Sequence, residues 1–136
     1  MTITARIVVD TNVLVSRLIL PQSICAEAVG RALSNARLLL SEAMMYELAD
    51  VLSRPKFDRY VSLEERKGFI ERLTQIGEIV PIIQLVRDCR DRKDNKFLEV
   101  ALNGRADMII TGGKDLLAID PWRGIEILSP GDYVKR

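Results

Sequence analysis

Short apolar runs alternate with longer amphipathic stretches along the chain, and the two patterns predict different elements. Arg6-Ile7-Val8-Val9-Asp10 is β-branched and breaks off in Asp10-Thr11-Asn12, which predicts a buried strand whose carboxyl end opens into a loop. After Pro21, Ile24, Ala28 and Leu33 keep helical spacing as far as Asn35. Leu38-Leu39-Leu40 predicts a second buried strand, and Ser41 then suits a helix N-cap with Glu42 in the first turn. Met44, Leu48, Val51 and Leu52 form one apolar stripe of that helix, and Pro55 ends it. A further helix is expected over 63–75 with Phe69, Ile70 and Leu73 inward. The run Ile79-Val80-Pro81-Ile82-Ile83 predicts an edge strand within 78–85, because proline cannot donate into a ladder. Next come a helix over 94–103, capped by Asp94 and closed by Gly104, and a strand over 108–111. A Gly112-Gly113 turn, a short helix over 115–118 and a last strand over 125–128 complete the chain. Strands alternating with helices predict an α/β fold whose parallel sheet is covered on both faces. With 136 residues and no repeat or linker, the expectation is one domain over 1–136.

Charge and composition narrow the chemistry. Twenty Lys and Arg against nineteen Asp and Glu leave a net charge of +1, so any polyanionic partner must be met by a local patch. The absence of histidine excludes Ser-His and Cys-His nucleophile pairs, imidazole-based RNA transesterification and the usual zinc chemistry. Cys25 and Cys89 are too few for a thiolate metal site and read as reduced thiols. The apolar stretch 7–20 is short and interrupted by Asp10, Asn12 and Arg17, and it lacks the features of a signal peptide. The expectation is a cytoplasmic protein with no membrane partner, using carboxylate chemistry, lysine chemistry or none.

The acids are placed for the first of these. Ligands of open parallel sheets sit beyond the carboxyl ends of strands, where Asp10 falls. Glu47 lies three residues after Met44 and four before Val51, beside the buried stripe. Asp94 heads the stripe Phe97, Leu98, Ala101, and Asp115 follows the strand that ends at Thr111. Asp91, Asp107 and Asp120 read as solvated loop or cap residues. Carboxylates converging at one rim repel each other unless a cation offsets them, and an oxygen-only set suits Mg²⁺ or Mn²⁺. Two basic clusters flank these acids: Arg54, Lys56 and Arg59, and then Arg87, Arg90, Arg92, Lys93 and Lys96.

Four ordered blocks carry a resemblance: Val9-Asp10-Thr11-Asn12-Val13-Leu14; Glu47-Leu48 with Val51-Leu52-Ser53-Arg54-Pro55-Lys56-Phe57; Asp94-Asn95-Lys96-Phe97-Leu98-Glu99-Val100-Ala101; and Ala106-Asp107-Met108-Ile109-Ile110-Thr111-Gly112. Together they resemble the PIN-domain family, in particular bacterial PIN proteins described as toxin components of toxin–antitoxin systems, relatives of the VapC-type toxins. The likeness runs essentially end to end, closing with Gly124-Ile125-Glu126-Ile127-Leu128-Ser129-Pro130. It implies a three-layer α/β/α PIN-like fold with a central parallel sheet and a metal-dependent ribonuclease activity. Position by position, Asp10, Glu47 and Asp94 match the family's first three acids, and Asn12 and Thr111 match polar residues that support them. The fourth acid of many relatives falls where this chain has Gly113. Asp115, which matches the Asp of the family's following Asp-Leu-Leu, is carried as a substitute ligand.

The resemblance thus implies Mg²⁺ or Mn²⁺ on Asp10 and Asp94, with Glu47 acting through water or on the attacking water. Arg54, Lys56, Arg92, Lys93 and Lys96 are expected to position RNA, and the products carry a 5′-phosphate and a 3′-hydroxyl. A cognate antitoxin protein and a homo-oligomer are also implied. One alternative is a catalytically impaired PIN-like module that binds RNA or protein, motivated by Gly113. Another is a phosphohydrolase with Asp10 as nucleophile, which Asn12 argues against because such enzymes usually need a second acid there.

Overall fold

The computed structural model describes residues 4–136; residues 1–3 of the expected 1–136 domain lie outside the described residues. Among the described residues five strands, β1 (Ala5–Val9), β2 (Ala36–Leu40), β3 (Glu78–Ile79), β4 (Met108–Ile110) and β5 (Glu126–Leu128), form a sheet in the order β3-β2-β1-β4-β5. All four pairings are parallel, as the alternation of strand and helix predicts. Ile7, Val8 and Val9 are consecutive and buried, as are Leu38, Leu39 and Leu40, so both faces of the central strands are covered. The covering helices are α1 (Thr11–Ile19), α2 (Ile24–Asn35), α3 (Glu42–Leu52), α4 (Leu63–Ile76), α5 (Asn95–Asn103), α6 (Lys114–Leu117) and α7 (Pro130–Val134). Both α2 and α5 lie on β1 and β2. This is the three-layer arrangement. Among the described residues no single helix is long and apolar enough to cross a membrane.

Local chemistry explains most boundaries. Ser41 caps α3 by accepting from the Met44 amide at 3.2 Å, and Ser62 with Glu65 forms a reciprocal capping box on α4. Arg66, only 4% exposed, donates to the Leu52 and Val61 carbonyls and pairs with Asp58 at 2.7 Å. Its cation therefore sits at the carboxyl end of α3, where the helix dipole favours it.

Four expectations change. The loop expected after Asp10 is α1, because Asp10 itself accepts from the Val13 amide at 2.9 Å and starts a helix at Thr11. The strand expected over 78–85 stops after Ile79: the Val80 amide makes the last rung, to Leu40 O at 2.7 Å, and Pro81 has no N–H to continue. The helix expected from 94 is preceded by a 3₁₀ turn, Arg92–Asp94, capped by Asp91 rather than Asp94. The fourth is α7, which the hydrophobic pattern did not announce; Ser129 caps it and Pro130 occupies its first position.

β1 lies between β2 and β4. The chain winds outward from β1 to β3 and then crosses back to β4, so the carboxyl ends of β1 and β4 adjoin at the topological switch point. Behind them Gly104 closes α5 by close approach: a Cβ there would stand 2.9 Å from each of Leu39 Cδ1, Val80 Cγ2 and the Val100 carbonyl oxygen. Gly104→Ala is expected to cost about 1–3 kcal/mol by overpacking, read as a lower urea midpoint with unchanged m-value. An unchanged midpoint would show that this corner repacks freely.

Candidate functional site

Asp10 follows β1 immediately and is 8% exposed. One carboxylate oxygen accepts from the Val13 amide and the other from the hydroxyl of Thr111, the residue that follows β4. The Thr111 hydroxyl oxygen in turn accepts from the Gly113 amide at 2.9 Å. Burial pushes the Asp10 carboxyl above the ordinary aspartate range, against the pull of the Thr111 and Val13 hydrogen bonds. The switch point thus brings Asp10 and Thr111 together across two strands.

Asp94 ends the 3₁₀ turn and makes no capping hydrogen bond, because Asp91 takes that role by accepting from the Lys93 amide at 3.0 Å. Its carboxylate is left to face the site. Burial raises its pKa first, then the negative charges of Asp91 and Asp10, while Lys96 gives partial relief and Glu47 adds to the rise. Glu47, on α3, is held at both oxygens: one accepts from the Thr11 hydroxyl, the other from Lys96 Nζ at 2.8 Å. Lys96 also donates to the Lys93 carbonyl.

Two cavities meet at these acids. One of about 260 Å³ is lined by Asp10, Asn12, Glu47, Arg54, Lys93 and Asp94 among others. The other, about 460 Å³, includes Asp10, Asn12, Asp94, Gly113 and Asp115. Asp91 lines both, although its sequence context reads as a solvated loop; the available signal was its three-residue spacing from Asp94, which a 3₁₀ turn brings onto one side. Asp107 and Asp120 instead accept main-chain amides, of Arg6 and Ile127. Gly113 has an ordinary extended backbone, φ −76°, and a Cβ there would lie 3.3 Å from Thr111 Oγ1 and 3.8 Å from Asp94 Oδ2. A side chain at 113 would therefore enter the acidic mouth.

The expected RNA-positioning residues divide. Arg54 lines the smaller cavity and lies 3.8 Å from Asp50, and Lys93 lines it too. Lys56 sits outside both cavities, 5.1 Å from the centre of the Phe57 ring. Lys96 has its ammonium committed to Glu47 and to the Lys93 carbonyl, which makes it part of the acid framework. Arg92 faces a neighbouring cavity.

Among the described residues no three His, Cys, Asp or Glu side chains form a ready-made metal cluster. The donor set at the mouth, Asp10 and Asp94 with the Asn12 amide nearby, contains only hard oxygen ligands at a place where negative charges raise one another's pKa. Such a set fits Mg²⁺ or Mn²⁺, for which one or two carboxylates suffice, with water and phosphate oxygens completing the shell.

A parallel α/β sheet with carboxylates gathered at its switch point defines a class of acid-centred domains. The chain belongs to the PIN domain family, which it matches over residues 6–115. It is 32% identical over 118 residues to the uncharacterized protein MJ1680 of Methanocaldococcus jannaschii, covering 84% of this chain and 74% of that protein. Among solved structures, it is similar to Rickettsia felis VapBC2 bound to a promoter DNA fragment (TM-score 0.60, 10% identity, 91% of this chain and 98% of that chain). It is similar to VapBC-1 of nontypeable Haemophilus influenzae (TM-score 0.60, 18% identity, 93% and 98%). PAE2754 of Pyrobaculum aerophilum is also similar (TM-score 0.56, 14% identity, 96% and 88%). At these identities the three structures show the shared fold.

Because Asp10 and Asp94 titrate higher in the folded chain than in the unfolded one, their contribution to stability is fully present below the ordinary aspartate value of 3.8. It is lost as the pH rises through their raised values. Asp10→Asn, which keeps the shape without the charge, should raise the Tm at neutral pH, and the gain should shrink as the pH falls toward 4. Circular-dichroism melts across that range check it; a lower Tm at neutral pH would mean that the ionised form is the better packed one.

Proposed function

We propose that this chain is a metal-dependent endoribonuclease, the toxin component of a toxin–antitoxin pair. The observation that carries the reading is the meeting of buried Asp10 and half-buried Asp94 in one mouth at the switch point, each carboxyl raised by burial and by its neighbours' charge. Asp10 and Asp94 would hold Mg²⁺ or Mn²⁺. Such an ion, when bound, offsets phosphodiester charge and makes a coordinated water acidic. Thr111 and the Val13 amide fix the Asp10 oxygens so that neither turns away from the mouth. Thr11 and Lys96 hold Glu47 at its edge, where it orients the attacking water and takes its proton. The water oxygen forms the new bond to phosphorus, the bond from phosphorus to the 3′-oxygen breaks, and that oxygen leaves as a hydroxyl after protonation from solvent. That similar structures are VapBC proteins supports an antitoxin partner for this chain; a segment of that partner covering the mouth, and self-association of the chain, belong to the same proposal.

Two observations favour a second reading, a binding module with impaired chemistry. Gly113 leaves the place beside Asp94 without a carboxylate, and Lys96 already neutralises Glu47.

The test is cleavage of a mixed single-stranded RNA pool by metal-stripped protein with Mg²⁺ or Mn²⁺ restored. Cleavage that needs the ion and falls at least about 100-fold in Asp10→Asn is expected. Wild-type protein that stays inert while Gly113→Asp cuts would establish the second reading. Independently of turnover, Mn²⁺ at about 100 times its Kd should stabilise the wild type by about 2.7 kcal/mol, and Asp10→Asn far less. Gly113→Asp should lower stability without the ion and increase the stabilisation that Mn²⁺ gives, both read from thermal melts. Equal Mn²⁺ stabilisation of wild type and Asp10→Asn would remove Asp10 from the site.

A further inference from the structure

Beside the acidic mouth lies a larger cavity of about 680 Å³ that the proposed chemistry does not use. Arg87, Arg90, Arg92 and Lys93 line it, and all four are exposed. Among the described residues none of them is in an ion pair. Among the described residues Glu99 is the only acid lining it, and Glu99 accepts from the Val86 amide at 3.0 Å. Lys93 lines both this groove and the smaller acidic cavity, so the two adjoin at that side chain.

The groove is built. Its backbone is fastened to one side of α5 by three acceptors at four-residue spacing. Asn103 Oδ1 takes the Ile83 and Gln84 amides at 3.1 and 2.9 Å, Glu99 takes Val86, and Asn95 takes Cys89 at 2.8 Å. From Arg87 onward the charges recur every third residue: Arg87, Arg90, Lys93 and Lys96 against Asp88, Asp91 and Asp94. The fold sorts most of these. Asp91 and Asp94 line the acidic mouth, Asp88 pairs with Arg123 at 3.1 Å, and the cations line the groove, with Lys93 on the acidic cavity as well.

We infer that this groove binds the phosphodiester backbone of single-stranded RNA and leads it past Lys93 to Asp10 and Asp94, an inference that rests on the nuclease reading. Among the described residues no aromatic ring lines the groove, so it offers phosphate contacts rather than a stacking platform. Its apolar lining residues, Val86 and Cys89, are buried, so the exposed side chains that it offers a ligand are the cations. Arg87 and Arg90 thereby join the site, and Lys96 leaves the RNA-contacting set for the acid framework.

The experiment measures binding of a short labelled single-stranded RNA to the full chain in EDTA, where cleavage is off, across a salt series. For Arg87→Gln with Arg90→Gln, the slope of log affinity against log salt should fall by roughly 1.4 and affinity by roughly 25-fold near 0.1 M salt. Arg87→Lys with Arg90→Lys should recover most of both, and melts should show all variants equally folded. Unchanged slope and affinity in the folded glutamine variant would overturn the groove. Oligoglutamate bound as tightly as RNA, and lost in the same variant, would assign the groove to an acidic protein segment and overturn it too. Wild type that binds RNA in the groove but never cuts it with metal present would refute the nuclease reading alone.

Discussion

Asp10 is a carboxylate placed where the fold is most apolar, directly after Val8 and Val9, which are fully buried. Its desolvation has to be answered on the spot, and the answer determines the architecture around it. One oxygen is satisfied by the amide of Val13, which obliges the chain to turn into α1 at once. The other is satisfied by the Thr111 hydroxyl, which obliges β4 to end beside β1. The Gly113 amide in turn fixes the Thr111 oxygen. Sheet order, helix start and turn geometry are all tied to one buried acid.

α5 serves the site from three directions. Phe97, Leu98 and Ala101 bury it in the core, Lys96 reaches Glu47 across to α3, and Asn95, Glu99 and Asn103 hold the segment that carries the basic groove. The segment departs from the sheet at Pro81 and would otherwise have unpaired amides. The polar side of α5 replaces the ladder that the proline interrupts. A helix placed this way sets the distance between Asp94 and the groove cations, because Asp94 ends the turn before it and the segment that carries Arg87 and Arg90 is fastened to its side.

The parallel sheet, the Ser41 cap and the inward stripes of α3 and α5 were legible because each depends on residues within a turn or a strand of one another. Asp10 and Asp94 were legible as site residues for the same reason: one ends an apolar run and the other heads an apolar stripe. What was hidden depends on pairs far apart in sequence. Lys96 reads as a surface cation until Glu47, forty-nine positions earlier, is beside it. Asp91 reads as a loop acid because the 3₁₀ turn that transfers the cap from Asp94 leaves no periodic apolar trace. α1 was missed because its helical stripe begins in the same apolar run that forms β1.

A net charge of +1 conceals how unevenly the charge is distributed at short range. Between Arg87 and Lys96 acids and bases are interleaved so closely that a sequence average nearly cancels, yet the backbone path turns Asp91 and Asp94 to one concavity and Arg87, Arg90 and Arg92 to the adjoining one. At an ionic strength near physiological, the Debye length is about 8 Å, so each concavity presents its own sign to a ligand in contact while the whole chain presents almost none at a distance. Long-range capture of a polyanion is therefore weak, and under the proposed function selectivity for a phosphate-bearing strand would arise only once that strand is seated against the cations with its scissile bond at the acids. On the proposed reading, a strand held by its backbone in the groove is cut near Lys93, where the two concavities adjoin.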